Sequence, residues 1–142
     1  MSIRVATSKD LTAVRAIDEA LGQRPATLEA VTRALSDKRL LVAERDGEIV
    51  GYLWWSWFWD KVPMSTLVRV RPEAQRTGVG AALYAAAEER LREMGCSFWM
   101  SSTEEDNERS LLFHKALGFR EIGALSDLDQ PVREVFMRKD LG

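Results

Sequence analysis

The sequence is poor in the residues that build disulfides and metal sites. Among its 142 residues it has one cysteine, Cys96, and one histidine, His114. A single cysteine cannot form an intramolecular disulfide, and one cysteine with one histidine are too few soft ligands for a protein zinc site. We therefore expect neither a disulfide nor a bound metal.

An excess of positive charge and a long hydrophobic run are also missing. The 20 basic residues are balanced by 22 acidic ones, so nothing predicts neutralisation of a nucleic-acid backbone. The longest apolar run, residues 50–59, falls well short of the roughly 20 residues that a membrane helix needs. Residues 1–10 contain no apolar core of a secretory signal. We expect a cytoplasmic protein that binds neither nucleic acid nor a membrane.

What is present predicts one globular domain over residues 1–142, since 46% of the residues are apolar and no linker interrupts them. The clearest local signal is a hairpin of residues 40–44 and 48–59. Asp46-Gly47 lies between them, and this pair adopts the positive φ angles of a type I′ turn. Residues 65–101 read as strand, helix, strand, which predicts a parallel pair beside the antiparallel hairpin.

Hydrophobic periodicity predicts the other elements, in the order β-α-α-β-β-β-α-β-α-β-β. Ser8 is the expected N-cap of the first helix, which runs to Leu21. The remaining predicted strands are 3–6, 65–70, 97–101, 119–123 and 133–137, and the remaining helices are 27–36, 78–94 and 107–117.

A glycine-containing loop, residues 75–81, leads into the third helix. Gly78 and Gly80 let a ligand approach the unpaired N–H groups at the positive end of the helix dipole, which suits a diphosphate, and Arg76 adds a cation. Tight helix–strand packing is an equal explanation for a bare Gly-x-Gly. The loop is neither a Walker loop nor a complete dinucleotide fingerprint, since Leu83 takes the place of the third glycine.

Two motifs at the right separation resemble those of the GNAT superfamily of N-acetyltransferases. Residues 75–80 (QRTGVG) resemble its Q/R-x-x-G-x-G/A motif, and residues 70–72 (VRP) are similar to its V-x-P strand end. Residues 107–119 (NERSLLFHKALGF) look like its N-x-x-A-x-x-Φ-Y-x-x-x-G-F signature, where Φ is apolar. The resemblance implies an α+β fold: a mixed, mostly antiparallel seven-stranded sheet flanked by about four helices.

The resemblance also implies acetyl-CoA as cosubstrate. Backbone groups of residues 68–70 would bind the pantetheine arm, backbone N–H groups from residue 76 through 81 would hold the diphosphate, and Asn107 would contact the pantetheine from the far side. The implied cofactor-binding residues are Val68, Arg69, Val70, Gln75, Arg76, Thr77, Gly78, Val79, Gly80, Ala81 and Asn107.

His114 stands where most members of the superfamily have a tyrosine that protonates the leaving thiolate. An imidazolium can donate the same proton, because the unperturbed pKa of histidine is about 6.5. The resemblance therefore makes His114 the candidate catalytic acid. The alternative is a histidine that is merely packed on the helix face between Leu111 and Leu117.

The general base is left open by the sequence. Many members use a strand carboxylate, but residues 65–70 and 97–103 contain none. The nearest candidates are Asp60, Glu73, Glu104 and Glu105.

Tryptophans crowd the predicted third strand. Period-two alternation places Trp55, Trp57 and Trp59 on one face, and Tyr52, Trp54 and Phe58 on the other. Burial under the helices, or at a homodimer contact, explains both faces. Because indole faces attract ammonium groups, we also predict that Trp57, Trp59 and Asp60 bind the acceptor.

The favoured function is transfer of an acetyl group from acetyl-CoA to a primary amine by direct attack in a ternary complex. Cys96 is expected to be buried, which argues against a covalent intermediate. One alternative is a catalytically weak, acetyl-CoA-binding regulatory module, favoured by the missing tyrosine and strand carboxylate. Another is an interaction protein that uses the tryptophan strand. The acceptor stays open among protein N-termini, polyamines, aminoglycosides and amino-acid-like amines.

Overall fold

The computed structural model describes residues 1–142 and contains seven strands and four α-helices. In chain order these are β1 (Ser2–Val5), α1 (Leu11–Ala20), α2 (Leu28–Ser36), β2 (Leu40–Arg45), β3 (Glu48–Phe58), β4 (Val62–Val70), α3 (Val79–Glu93), β5 (Phe98–Glu104), α4 (Glu108–Ala116), β6 (Arg120–Leu125) and β7 (Glu134–Asp140). Single 3₁₀ turns, Ser8–Asp10 and Pro72–Ala74, precede α1 and α3.

The strands form one sheet in the order β1-β2-β3-β4-β5-β7-β6. The pair β4–β5 is parallel, with Met64 opposite Met100, whereas β1–β2, β2–β3, β5–β7 and β6–β7 are antiparallel. The predicted element order and the mixed, mostly antiparallel sheet are confirmed. No helix has both the length and the apolar character needed to cross a membrane.

The chain divides into two compact units. The first comprises Met1–Ser56 and Thr66–Arg90, and the second comprises Trp57–Ser65 and Leu91–Gly142. The single domain expected from length and composition stays a prediction.

In the first unit, the apolar faces of α1 and α2 pack with residues of the strands. Apolar residues recur every three or four positions in both helices, so each helix has one face to bury. The buried cluster consists of Ala6, Val14, Ile17, Ala34, Leu40, Val42, Ile49 and Tyr52.

The start of α1 differs from the prediction. Ser8 is not the cap: Thr7 caps the 3₁₀ turn that Ser8 begins, and Asp10, the last residue of that turn, is the N-cap of α1. The Asp10 carboxylate accepts the Thr7 N–H at 2.8 Å and both terminal nitrogens of Arg4 at 2.8 Å. This ion pair, in which Asp10 is buried and Arg4 is partly exposed, holds Thr7 in the capping position. Sequence periodicity does not reveal it.

Both hairpin turns of the first four strands use residues with positive φ. Asp46 and Gly47 have φ angles of 52° and 79°, which confirms the predicted type I′ turn. Trp59 and Asp60 have φ angles of 56° and 52°, and the N–H of Lys61 donates to the carbonyl of Phe58 at 3.1 Å. The prediction that Trp59 continues β3 and that β4 begins at Ser65 is therefore wrong, because a turn follows Phe58 and β4 begins earlier, at Val62.

Gly51 in β3 allows α3 to begin close to the sheet. A Cβ at this position would lie 2.9 Å from Cγ1 of Val79 and 3.1 Å from the carbonyl oxygen of Arg69. Val79, the first residue of α3, is 1% exposed. The missing side chain of Gly51 thus fixes where the amino end of α3 lies, a role that sequence reasoning did not assign.

The second unit has an aromatic core around β5 and the end of α4. Trp99 is fully buried, and its ring centroid lies 5.8 Å from that of Phe119. The His114 ring meets Phe119 edge-on at 5.3 Å and Phe113 at 5.6 Å. Met137 of β7 is also buried and lies opposite Ser101 of β5.

We predict that Gly51→Ala lowers the free energy of unfolding by about 1–3 kcal/mol, since one added methyl overpacks a contact with backbone. Urea unfolding followed by circular dichroism measures the change. Gly123→Ala is the matched control, because a Cβ there would meet no atom within 4 Å. Equal stability of the two variants would contradict the role of Gly51.

Candidate functional site

The amino end of α3 presents backbone N–H groups that the helix does not use. The first helical hydrogen bond runs from the N–H of Ala82 to the carbonyl of Gly78, at 3.0 Å. The N–H groups of Val79, Gly80 and Ala81 precede it and have no acceptor within the helix. Gly78 has a φ of 89° and is exposed, so a ligand can approach this turn.

Side chains of the preceding loop hold it in shape. The Thr77 hydroxyl donates to the carbonyl of Ala74 at 2.5 Å, and Gln75 donates to the carbonyl of Val70 at 3.2 Å. Arg45 donates to the Thr77 hydroxyl at 3.1 Å. Arg76 has a φ of 62° and an exposed side chain.

Free N–H groups at a helix N-terminus, with cations nearby, fit a diphosphate. The loop predicted from the sequence is thus built as such a site requires. Arg45 brings a second cation that the sequence analysis missed, since only the fold places β2 beside this loop.

The backbone of β4 has two sides with different partners. The N–H of Arg71 donates to the carbonyl of Val50 at 2.8 Å, and the Arg69 carbonyl lies 3.1 Å from where a Cβ of Gly51 would be. Residues 69 and 71 therefore turn their backbone groups toward β3. Because successive residues of a strand direct these groups to opposite sides, the backbone groups of Val68 and Val70 are directed away from β3. Of residues 68–70, which were predicted to bind the pantetheine arm, these two are therefore the ones that do not face β3.

Both ring nitrogens of His114 make short hydrogen bonds. Nδ1 lies 2.8 Å from the carbonyl oxygen of Ser110, and Nε2 lies 2.7 Å from Oγ of Ser101. A carbonyl can only accept, so Nδ1 carries the proton in the neutral ring, and Nε2 accepts the Ser101 hydroxyl. The network assigns the Nδ1–H tautomer.

Burial sets the charge of this histidine. His114 is 3% exposed and Ser101 is 2% exposed. Burial lowers the pKa of His114 below its ordinary value, and the bond to the Ser110 carbonyl opposes this effect only in part. The ring is therefore neutral at pH 7. Its polar contacts go beyond the plain packing between Leu111 and Leu117 that the sequence left as an alternative.

Asn107 caps α4, as its position before the helix requires. Its side-chain oxygen accepts the N–H of Ser110 at 3.1 Å. The oxygen is thereby committed to the helix, and the side-chain NH₂ group is the part that a ligand can still engage.

The candidate bases differ in their surroundings. Glu105 accepts a hydrogen bond from Arg133 at 2.7 Å, and this partner lowers the pKa of the Glu105 carboxyl, which makes it a poor proton acceptor. Asp60, Glu73 and Glu104 are exposed. No group of three His, Cys, Asp or Glu side chains in the 142 residues could hold a metal ion.

The tryptophans of β3 and its turn differ in exposure. Trp55 is buried, Trp57 is 38% exposed and Trp59 is 80% exposed. Trp59 lies in the turn, where its ring centroid is 4.7 Å from that of Phe58, so the predicted shared face ends at Trp57.

Cys96 was expected to be buried but is partly exposed, and burial nevertheless raises the pKa of its thiol.

Comparison with known proteins decides the family. The family model described as "Acetyltransferase (GNAT) family" matches residues 11–119. The chain belongs to the GNAT family. This confirms the resemblance seen in the two motifs. The GNAT match covers the diphosphate-type loop at the start of α3 as well as Asn107 and His114.

Individual relatives agree with this assignment. A mycothiol acetyltransferase of Thermomonospora curvata is 34% identical over 80 residues, which cover 56% of this chain and 27% of that protein. An aminoglycoside N(6')-acetyltransferase type 1 of Klebsiella aerogenes is 40% identical over 63 residues, covering 44% of this chain and 41% of the other. The chain thus spans less than half the length of these relatives.

Among solved structures, a ribosomal-protein-alanine N-acetyltransferase from Brucella melitensis superposes with a TM-score of 0.81. It is 28% identical, and the match covers 99% of both chains. The GNAT fold therefore extends over the whole described chain.

We predict that ¹⁵N NMR of the imidazole shows the Nδ1–H tautomer at pH 7 and a titration midpoint below about 6.5. His114 is the only histidine, so its signals need no assignment. In denaturant the midpoint should return to the ordinary value. An Nε2–H tautomer, or a midpoint at or above the denatured value, would show that the assigned network is wrong.

Proposed function

We propose that this GNAT protein transfers the acetyl group of acetyl-CoA to a primary amine by direct attack in a ternary complex. One observation carries the proposal: the first turn of α3 offers three N–H groups without helical partners, beside Arg76 and Arg45. This arrangement fits the diphosphate of coenzyme A. The names of the relatives support an acetylated amine without specifying it.

The cosubstrate would be held mainly by backbone groups. N–H groups from Arg76 through Ala81 bind the diphosphate, with the side chains of Gln75 and Thr77 fixing the loop. Val68 and Val70 supply strand groups for the pantetheine, next to Arg69, and the side-chain NH₂ of Asn107 adds a further donor.

His114 is proposed to move the proton that the reaction releases. Attack by a neutral amine leaves an extra proton on the nitrogen, and the thiolate needs one when the C–S bond breaks. The neutral Nε2 has no proton to give at first. Nε2 therefore accepts the proton of the Ser101 hydroxyl while the Ser101 oxygen takes the proton from the amine. In the second step His114 returns its proton to Ser101, and the Ser101 hydroxyl protonates the sulfur. His114 acts as base and then as acid, and no separate carboxylate is needed.

The acceptor is proposed to be a small-molecule or peptide amine, with Trp57, Trp59 and Asp60 attracting its ammonium group. Substitution of Asp60 by Asn tests the charge. The exposed Trp59 is equally suited to a homodimer contact. We place the protein in the cytoplasm, with neither nucleic acid nor membrane as partner.

A regulatory module that binds acetyl-CoA without turnover is the second candidate. The complete burial of the Ser101–His114 pair favours it, because a buried pair has restricted access to substrate. Thiol release with a panel of amines separates the two functions: binding without release identifies the module.

We predict that Gly78→Glu abolishes the thermal stabilisation that acetyl-CoA gives the wild type. The added carboxylate lies at the diphosphate site and repels it. Gly78→Asn is the matched control, since asparagine tolerates positive φ better than other side chains and adds no charge. It should keep most of the shift. A wild-type shift in the Glu variant would remove this loop from cofactor binding.

We predict that Ser101→Ala and His114→Phe both lower kcat by about 10²–10⁴-fold, with little change in the KM for acetyl-CoA, because the proton is needed in the transition state. Steady-state thiol release measures both constants, and circular dichroism checks folding. Full activity of a folded Ser101→Ala variant would exclude the hydroxyl relay, and full activity of His114→Phe would restore a packing role.

A further inference from the structure

A buried carboxylate ties β4 to α1. Asp18 is 2% exposed, and its Oδ1 accepts both the Tyr52 hydroxyl, at 2.6 Å, and Nη1 of Arg69, at 2.7 Å. The guanidinium neutralises this carboxylate, which would otherwise be costly to bury.

Arg69 makes all of its hydrogen bonds through one nitrogen. Besides Asp18, Nη1 reaches the carbonyl of Arg24 at 3.2 Å and the Tyr52 hydroxyl at 3.4 Å. Nε and Nη2 donate to no group in residues 1–142. Since the Arg69 side chain is only 14% exposed, its unused donors are held in a confined place.

Neutralising Asp18 does not require a guanidinium group. A lysine ammonium supplies one charge and the donors that Nη1 uses. The planar guanidinium has a second edge, Nε with Nη2, whose two parallel N–H groups match the two oxygens of a carboxylate. That edge is left over after the structural bonds are made.

The surroundings of the cluster favour an anionic group. Asp18 and Tyr52 line a small pocket of about 30 Å³, which the exposed Arg15 also lines. The Arg24 side chain lies on the exposed segment between α1 and α2. The rest of the pocket wall is mainly apolar and includes Leu11, Val14, Pro25, Ala26, Leu28, Val31, Leu40 and Trp54.

We propose that the free Nε–Nη2 edge of Arg69 binds the carboxylate of the acceptor, so that the acceptor is an amino acid or an amino-acid-like amine. This rests on the proposed acetyl transfer. It replaces recognition of the ammonium group by Asp60 and the tryptophans, because residues 60 and 69 lie at opposite ends of the strand Val62–Val70. At about 3.3 Å per residue they are roughly 25 Å apart, which is too far for the two charges of one α-amino acid. Arg69 then has two functions, one structural through Nη1 and one in specificity.

Wild-type enzyme gives the first test. Thiol release is measured with methionine and methioninamide, and with phenylalanine and phenethylamine. We expect kcat/KM to be on the order of 10–100-fold higher for the carboxylate-bearing member of each pair, the range of a charge-assisted bidentate contact. Equal or higher values for methioninamide and phenethylamine would overturn the inference and leave acetyl transfer standing. Thiol release with none of the amines would overturn both.

A variant then tests whether Arg69 causes the preference for carboxylate-bearing acceptors. Arg69→Lys keeps a charge for Asp18 but removes the planar edge, so it should lose most of the preference for the carboxylate. The preference is measured within the variant, as the ratio of its kcat/KM for methionine to its kcat/KM for methioninamide. Arg24→Ala is the matched control, because only the backbone of Arg24 joins the cluster, and its preference should match wild type. If the folded Arg69→Lys variant keeps the preference, another group binds the carboxylate of the acceptor, and the role of Arg69 is overturned. If that variant does not fold, the wild-type comparison decides.

Discussion

The close approach of α3 to β3 determines what the amino end of that helix can bind. Gly51 leaves room for Val79, and Val79 is buried because of it. The helix therefore begins at a fixed point, with its first N–H groups directed outward and the glycine of the preceding loop at a positive φ. A helix N-terminus attracts anions wherever it occurs, but the attraction becomes a site only when the turn is held in place.

Burial gives the single histidine a different chemistry from the tyrosine it replaces. A tyrosine hydroxyl can donate its own proton at neutral pH, whereas this imidazole is neutral and has its proton committed to the Ser110 carbonyl. The proton transfer proposed for His114 therefore uses Nε2 and the Ser101 hydroxyl. His114, which departs from the tyrosine of the GNAT motif, is thus accompanied by Ser101 as its hydrogen-bond partner. The two residues are best understood as a pair.

The charged cluster around Asp18 has one feature that stability does not require. Burying a carboxylate costs free energy unless it is paired, and Arg69 and Tyr52 meet that need with one nitrogen and one hydroxyl. The remaining edge of the Arg69 guanidinium, Nε with Nη2, makes no hydrogen bond within the protein and can bind a ligand. In the proposed acetyl transfer, such a group is where selectivity for a particular acceptor can reside.

Local sequence determined most of the fold. Asp46-Gly47, the helical periodicities and the loop at residues 75–80 act through neighbouring residues, so their structures could be read from the chain. The turn at Trp59 and Asp60 could not, because a hydrophobic pattern does not report the sign of φ. For the proposed site, the motifs indicated Gly78 and His114, and the functional roles of these residues stay predictions. Only the tertiary structure brought Ser101 to His114, Arg45 to Thr77 and Asp18 to Arg69, because these pairs are 13 to 51 residues apart and are joined by strand pairing and burial.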